Sequence, residues 1–511
     1  MRMGFFHRLR RTEQVEYGLY GLWVLGASGK PRRILIAYVK QHYYLFTRAL
    51  FPIYTRAPSD SGGFLEMLTT ISRVSTLLIG VALLLVGHGL HLAVVPLKAQ
   101  LFGWSDIHIG WLGSLYFVGF ILGCFSVPAL VTRTGHIRAY ACMVALMTAS
   151  ILGLALGDNL SLWILLRVIS GVSIAGLYLI IESWLNEQAS SHVRGSVLAV
   201  YTIVVLIGLA AGNLLLNTAP IDGPALIIGS AMLIVIAAIP VCVTSSPEPP
   251  QIPRARFSPL LVLKSSRAAS IGSFIGGLAV GVIYTLGPVY ALQRGLDVMD
   301  ISVMMAMAIA GGGVTQFPLG RLSDRIDRRL VILLCLVLGA CVAMTALAGE
   351  SLSVPLMMLL LGASVMPIYA LSLAQASDNT NPGDFIKVGT GLLMMNALGS
   401  VVGPLLASQL MHRFGPQYFF VYQFVILFAA ASAVVYMIRS KPPSPEPNRD
   451  FELATTAAAQ AAFSLDPRAD EQDFFSADEQ LAQTASSDNQ VAAQDVAGQA
   501  PNEAGATFAG I

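Results

Sequence analysis

The sequence predicts an all-α membrane protein of twelve transmembrane helices in two pseudo-symmetric six-helix bundles. Three observations carry the prediction. Of 511 residues, 55% are hydrophobic and only 12% are charged, whereas an ordinary soluble domain has about 25% charged residues. Roughly twelve stretches stay apolar over the ~20 residues that a helix needs to cross the hydrocarbon layer. The second half of the chain also repeats the first. A mean hydropathy of +0.68 excludes a soluble globular enzyme and a chain disordered over most of its length. With no basic face to spare, it excludes a nucleic-acid binder as well.

The expected spans are 74–97, 108–131, 138–157, 161–185, 193–217, 223–245, 268–293, 299–322, 329–349, 352–376, 386–410 and 415–438. Short separators rich in turn residues divide them, such as Gly157-Asp158-Asn159 and Asn379-Thr380-Asn381-Pro382-Gly383. The longest separator, 246–267, is Pro-rich and basic, and splits the core into two sets of six. The chain thus has five regions: a basic extension (1–66), a first bundle (67–245), a linker (246–267), a second bundle (268–441) and an acidic tail (442–511). One set of alternate loops, with the C-terminal flank, carries fourteen Lys and Arg, and the opposite set carries only Lys98, Arg294 and Arg413. The positive-inside rule therefore puts both ends of the core in the cytoplasm.

At a shift of 192 residues, Gly89 meets Gly281, Pro96 meets Pro288, Gly103 meets Gly295, Gly119 meets Gly311 and Arg133 meets Arg325. At a shift of 191, Gly171 meets Gly362, Tyr178 meets Tyr369, Gly208 meets Gly399 and Gly212 meets Gly403. Glycines and prolines dominate because they set helix approach and bending, so the halves share backbone geometry. Two halves of the same handedness imply parallel repeats with a site between them near the midplane, opened to either side in turn.

Between the eighth and ninth spans stands Gly320-Arg321-Leu322-Ser323-Asp324-Arg325-Ile326-Asp327-Arg328-Arg329. It resembles the signature loop of the major facilitator superfamily, G-x-L-x-D-R-x-G-R-R, departing at the second glycine, where Asp327 stands. The first half keeps only Leu130, Arg133 and Gly135 of that loop. The resemblance implies a conformational latch made of Gly320, Asp324, Arg325, Arg328, Arg329 and Arg133. Arg167 and Gly171 in the fourth span resemble a second signature of the superfamily. The run Ile180–Trp184, with Arg194-Gly195 opening the fifth span, looks closest to its YcaD-like branch. The resemblance covers about residues 70–440 and implies a monomeric secondary active transporter of the inner membrane. It names no substrate. A G-x-x-x-G-P signature of drug–proton antiporters occurs at Gly399–Pro404, in the wrong half. Its counterpart at Gly208–Gly212 lacks the proline, so close helix packing is the expectation for both.

Only Arg167 and Glu182 are charges clearly inside the spans. An ionisable group there costs at least about 2.5 kcal/mol on insertion scales, which makes both of them functional candidates. They lie on one helix about 22 Å apart, and so do not pair directly. The tenth span, their repeat partner, has Met358 and Leu373 instead. That asymmetry resembles proton-coupled members of the superfamily, and Glu182 with Arg167 are the proton-coupling candidates; for Glu182 the alternative is snorkelling at the interface. For Arg167 the alternatives are an anionic partner and a structural arginine bonded to helix carbonyls. His88 and His91 share a face of the first span at a spacing that suits a metal, but no third ligand stands nearby, so cavity lining is expected and no metal or cofactor. Tyr178, Tyr284, Gln316, Tyr369, Gln375 and Asn396 complete the substrate-cavity candidates, with Tyr290 as a further polar residue. As a set they predict a mostly uncharged pocket for a small molecule. Cys124, Cys142, Cys242, Cys335 and Cys341 lie in apolar runs at no metal or redox spacing, and read as packing residues.

Residues 1–66 hold ten Lys and Arg against four Asp and Glu, with an 11-residue apolar patch too short to span. They read as a basic segment on the cytoplasmic membrane surface, or as an upstream stretch with Met67 the native start; N-terminal sequencing decides. The tail holds two basic and twelve acidic residues and too little apolar surface to fold. The function expected is a proton-coupled transporter of a small organic solute, multi-pass in the plasma membrane, working by alternating access. The alternative is a non-transporting sensor that kept the fold. No motif of an intramembrane enzyme is present.

Overall fold

The computed structural model describes residues 61–188, 191–242, 266–348, 353–378, 380 and 384–440. The expectations for most of residues 1–66, for the linker and for the acidic tail lie outside the described residues. The chain divides into two units, Met1–Glu66 and Met67–Ile511, and the membrane-spanning core lies in the second.

Among the described residues, twelve helices are long and apolar enough to cross a membrane. The first bundle holds α1 (Ser61–Leu101, apolar from Val74), α2 (Asp106–Thr134), α3 (His136–Leu156), α4 (Leu160–Gln188), α5 (Gly195–Thr218) and α6 (Ala225–Cys242). The second holds α7 (Arg267–Gln293), α8 (Val298–Arg325), α9 (Arg328–Leu347), α10 (Val354–Asp378), α11 (Phe385–Phe414) and α12 (Tyr418–Ser440). Each expected span falls on one helix, displaced by a few residues at its ends. All twelve are helical because lipid offers backbone N–H and C=O groups no partner. Side chains supply caps where the ends meet water: Asp297 accepts from the Asp300 amide at 2.8 Å at the start of α8, and Ser266 accepts from the Ala269 amide at 3.2 Å at the start of α7.

The repeated glycines sit at matched helix crossings. In the first bundle α2 packs on α4, and a Cβ at Gly119 would overlap the Val168 carbonyl, one at Gly171 the Tyr116 carbonyl. In the second, α8 packs on α10, and Cβ atoms at Gly311 and Gly362 would overlap the Leu359 and Ala308 carbonyls. Gly212 and Gly403 likewise face carbonyls, of Val86 and Leu278, so both G-x-x-x-G runs are packing seams.

The two halves differ at the signature loop for a backbone reason. Gly135, in the first half, has φ +83°, where glycine is favoured. Its counterpart Asp327 has φ −53° and caps α9 by accepting from the Arg329 amide at 2.9 Å. The departure from the family pattern thus replaces a glycine turn with a cap. The cysteines require a correction. Only Cys335 is buried, while Cys142, Cys242 and Cys341 are exposed, because apolar runs in a membrane protein also supply the outward face of the helices.

The loops after odd-numbered helices form one end of the molecule. There the bundles meet. Gln293 on α7 donates to Asp106 on α2 at 2.6 Å. Asn217, just after the α-helical part of α5, donates to Ser302 on α8 at 2.9 Å, and Ser302 donates to the Asn213 carbonyl at 2.8 Å. A Cβ at Gly110 of α2 would overlap Ser408 of α11. Among the described residues, the hydrogen bonds that join the bundles gather at this end.

Candidate functional site

A cavity of about 960 Å³, counting its solvent-open part, lies between the bundles. His88, Tyr116, Arg167 and Tyr178 line it from the first bundle, and Tyr284, Thr285, Asn396 and Ser400 from the second. Phe117, Phe120, Leu92, Leu209 and Val280 complete much of the apolar wall. Its lining contains one formal charge, that of Arg167.

Arg167 is 4% exposed. Its Nη1 donates to His91 Nε2 at 3.0 Å and its Nε to the Leu112 carbonyl at 3.3 Å. The guanidinium carbon stands 4.3 Å from the centre of the Tyr116 ring, a cation–π contact. Two of its five N–H groups are thereby used, and no described carboxylate pairs with it. His88 is bonded to the Tyr116 hydroxyl through Nε2 at 3.1 Å, while its Nδ1 is buried without a hydrogen-bond partner. The two histidines are thus committed separately, His88 to Tyr116 and His91 to a cation. A guanidinium this close opposes a second positive ion beside the pair.

Glu182 stands toward the other end of α4, 1% exposed, and so lies inside the protein rather than at a lipid interface. The Tyr201 hydroxyl donates to its Oε1 at 3.3 Å. Tyr178, which lines the cavity, and Tyr369 on α10 lie within electrostatic reach of the carboxylate. Of the cavity candidates, the structure brings together His88, Tyr178, Tyr284 and Asn396. His91 stands behind Arg167, and the buried Gln316, Tyr369 and Gln375 lie outside this lining.

In the signature loop Arg328 is the hub. It is 1% exposed, reaches Asp378 at the end of α10 at 2.7 Å and Asp324 at 3.4 Å. Arg329 pairs locally with Asp327 at 2.6 Å. Gly320 is buried in α8, and Arg133 and Arg325 are exposed and form no ion pair with a described residue.

Sequence reasoning missed Tyr116, Tyr201, Asp378 and the Asp106–Gln293 contact. A signal for Tyr116 was present: Gly171 follows Arg167 by one helical turn, and a glycine shared between the repeats marks where a neighbouring backbone crosses. The crossing segment is that of Tyr116.

The sequence matches the family model of the Major Facilitator Superfamily over residues 77–384 and 269–470. It is 28% identical over 377 residues to an uncharacterized MFS-type transporter of Enterobacter sp. (strain 638), covering 73% of this chain and 96% of that one. It is 27% identical over 382 residues to the uncharacterized MFS-type transporter YcaD of Salmonella arizonae, covering 73% and 96%. Among solved structures, the fold resembles the nucleoside transporter NupG with a TM-score of 0.61 at 14% identity, covering 72% of this chain and 100% of that one. It also resembles the human organic anion transporter MFSD10, with a TM-score of 0.52 at 18% identity, covering 71% and 98%. With its twelve spans, matched bundles and central cavity, the chain belongs to the Major Facilitator Superfamily.

Proposed function

We propose that the protein is a secondary active transporter that carries a small organic solute through the cavity by alternating access, coupled to protons. The observation that carries this reading is the cavity itself. It lies between two pseudo-equivalent bundles whose hydrogen bonds to each other are gathered at one end. Parting of Asp106 from Gln293, with closure at the opposite end, would expose the same site to the other side. The loop charges favour an inner membrane in which the end closed here is periplasmic and both ends of the core are cytoplasmic. Burial of Glu182 beside Tyr201, and its electrostatic reach to cavity-lining Tyr178, support its role as the proton carrier. The signature-loop ion pairs of Arg328 would act as the latch at the cytoplasmic end, and a single chain suffices for the cycle.

The test is a comparison of small molecules in cells and medium with and without the protein. Movement of one compound class only with the intact chain supports transport. No moving compound, with signalling lost on deletion of residues 442–511, would replace the reading with a sensor.

A further inference from the structure

We propose that the solute is a monoanionic organic carboxylate with an aromatic or other flat apolar body, its carboxylate held by Arg167. This rests on the transporter reading and deepens it by assigning the solute's chemistry. The argument begins with charge. A buried cation is costly unless an anion meets it, yet the acceptors of Arg167 are a neutral ring and a backbone carbonyl. Three of its N–H groups have no described acceptor, and the side chain lines the cavity. A guanidinium presents paired N–H groups in the geometry of a carboxylate.

A second observation points the same way. His88 lines the cavity 2% exposed, and its Nδ1 has no partner. Its other nitrogen faces a tyrosine hydroxyl that serves as donor or acceptor, so the imidazole proton can sit on Nδ1, a buried donor without an acceptor of its own on a residue of the cavity wall. The Tyr178 and Tyr284 hydroxyls make no hydrogen bond to a described residue and are further donors on the two bundles.

The number of charges limits the ligand. With one cation and no carboxylate on the lining, a single negative charge is neutralised, whereas a phosphate dianion would leave charge over and a cationic solute would meet repulsion. The rings of Tyr116, Phe117, Phe120, Tyr178 and Tyr284 supply the apolar surface for the body.

The experiment has two arms. In the first, compounds whose distribution between cells and medium depends on the protein are sorted by charge at neutral pH. Monoanions are expected, and Arg167→Gln should reduce their flux about tenfold to hundredfold, the worth of a charge-assisted hydrogen bond. Arg167→Lys should keep the preference for anions at reduced affinity. Neutral or cationic compounds would overturn this inference and leave the transporter reading standing; no moving compound would overturn both. The second arm needs no variant and so does not depend on Arg167→Gln folding. Benzoate, benzamide and benzylamine are added at equal concentration to the purified wild-type protein, and thermal stability is read. Stabilisation by benzoate above the amide and amine is expected. Absence of any preference for benzoate would overturn the assignment.

Discussion

Arg167 Nη1 stands 3.0 Å from His91 Nε2, so the one charge on the cavity wall is oriented by a neutral ring instead of a carboxylate. A carboxylate in that position would cancel the charge that the cavity presents to a solute. A ring acceptor fixes the guanidinium and leaves its charge available. The arrangement requires His91 to accept through Nε2 and carry its proton on Nδ1.

His91 is therefore a positioning residue. His91→Leu should raise the KM of the transported solute about tenfold, the worth of one hydrogen bond to a charged group, with a smaller effect on kcat. His91→Gln, whose side-chain oxygen can accept the same bond, should recover most of the loss. Equal effects of the two variants would make His91 a packing residue only.

Glu182 and Arg167 lie on one helix but serve different steps in this scheme, which kinetics can separate. Glu182→Gln should abolish accumulation driven by a pH gradient while preserving solute exchange between the two sides of a proteoliposome. Arg167→Gln should impair both. Tyr201→Phe removes the hydroxyl bonded to Glu182 and should shift the pH optimum of uptake without abolishing exchange. If Glu182→Gln accumulates solute normally, the proton passes elsewhere.

How much of this was legible in the sequence differs from residue to residue. The spans were legible because a helix in lipid must be long and apolar, and the bundle pairing because Gly171 and Gly362 have no alternative where a carbonyl crosses so closely. Arg167 and Glu182 stood out as charges in apolar runs. Their partners did not, since Tyr116 and Tyr201 are ordinary aromatics in such runs until the helices cross. Gln316 and Gln375 are the reverse case, polar residues that stand out in apolar runs. Their helices belong to the second bundle's packing, but neither side chain reaches the cavity lining, because helical facing over one turn is not set by hydropathy alone. Asp327 was read as a departure from a pattern, and only its φ of −53° and its bond to the Arg329 amide explain why no glycine is needed.

The Asp106–Gln293 contact joins α2 to α7 at 2.6 Å and half-buries both side chains or more, so it should help hold one end closed. Cysteines placed by Asp106→Cys with Gln293→Cys, in a chain whose own exposed cysteines are replaced, should cross-link on oxidation. Transport should then stop and return on reduction. Gln293→Leu should increase labelling, from the loop end it guards, of a cysteine introduced on the cavity wall by Ser400→Cys. Unchanged transport in the cross-linked protein would show that this end does not open in the cycle.

The glycine crossings give a stability prediction that uses the internal repeat as its own control. A methyl at Gly171 meets the Tyr116 carbonyl, and one at Gly362 meets the Ala308 carbonyl, in both cases backbone that moves only with its helix. Gly171→Ala and Gly362→Ala should each cost about 1–3 kcal/mol, the usual range for overpacking, and lower the yield of folded protein. Gly229 on α6 has open space where its Cβ would be. Gly229→Ala should be neutral or slightly stabilising, since alanine is the better helix former. Thermal unfolding in detergent ranks the three. Gly171→Ala carries one more consequence, because displacement of the Tyr116 backbone moves the ring beneath Arg167. It should weaken solute binding more than Gly362→Ala at equal loss of stability, and equal loss of binding would mean that the seam supports the fold without setting the site.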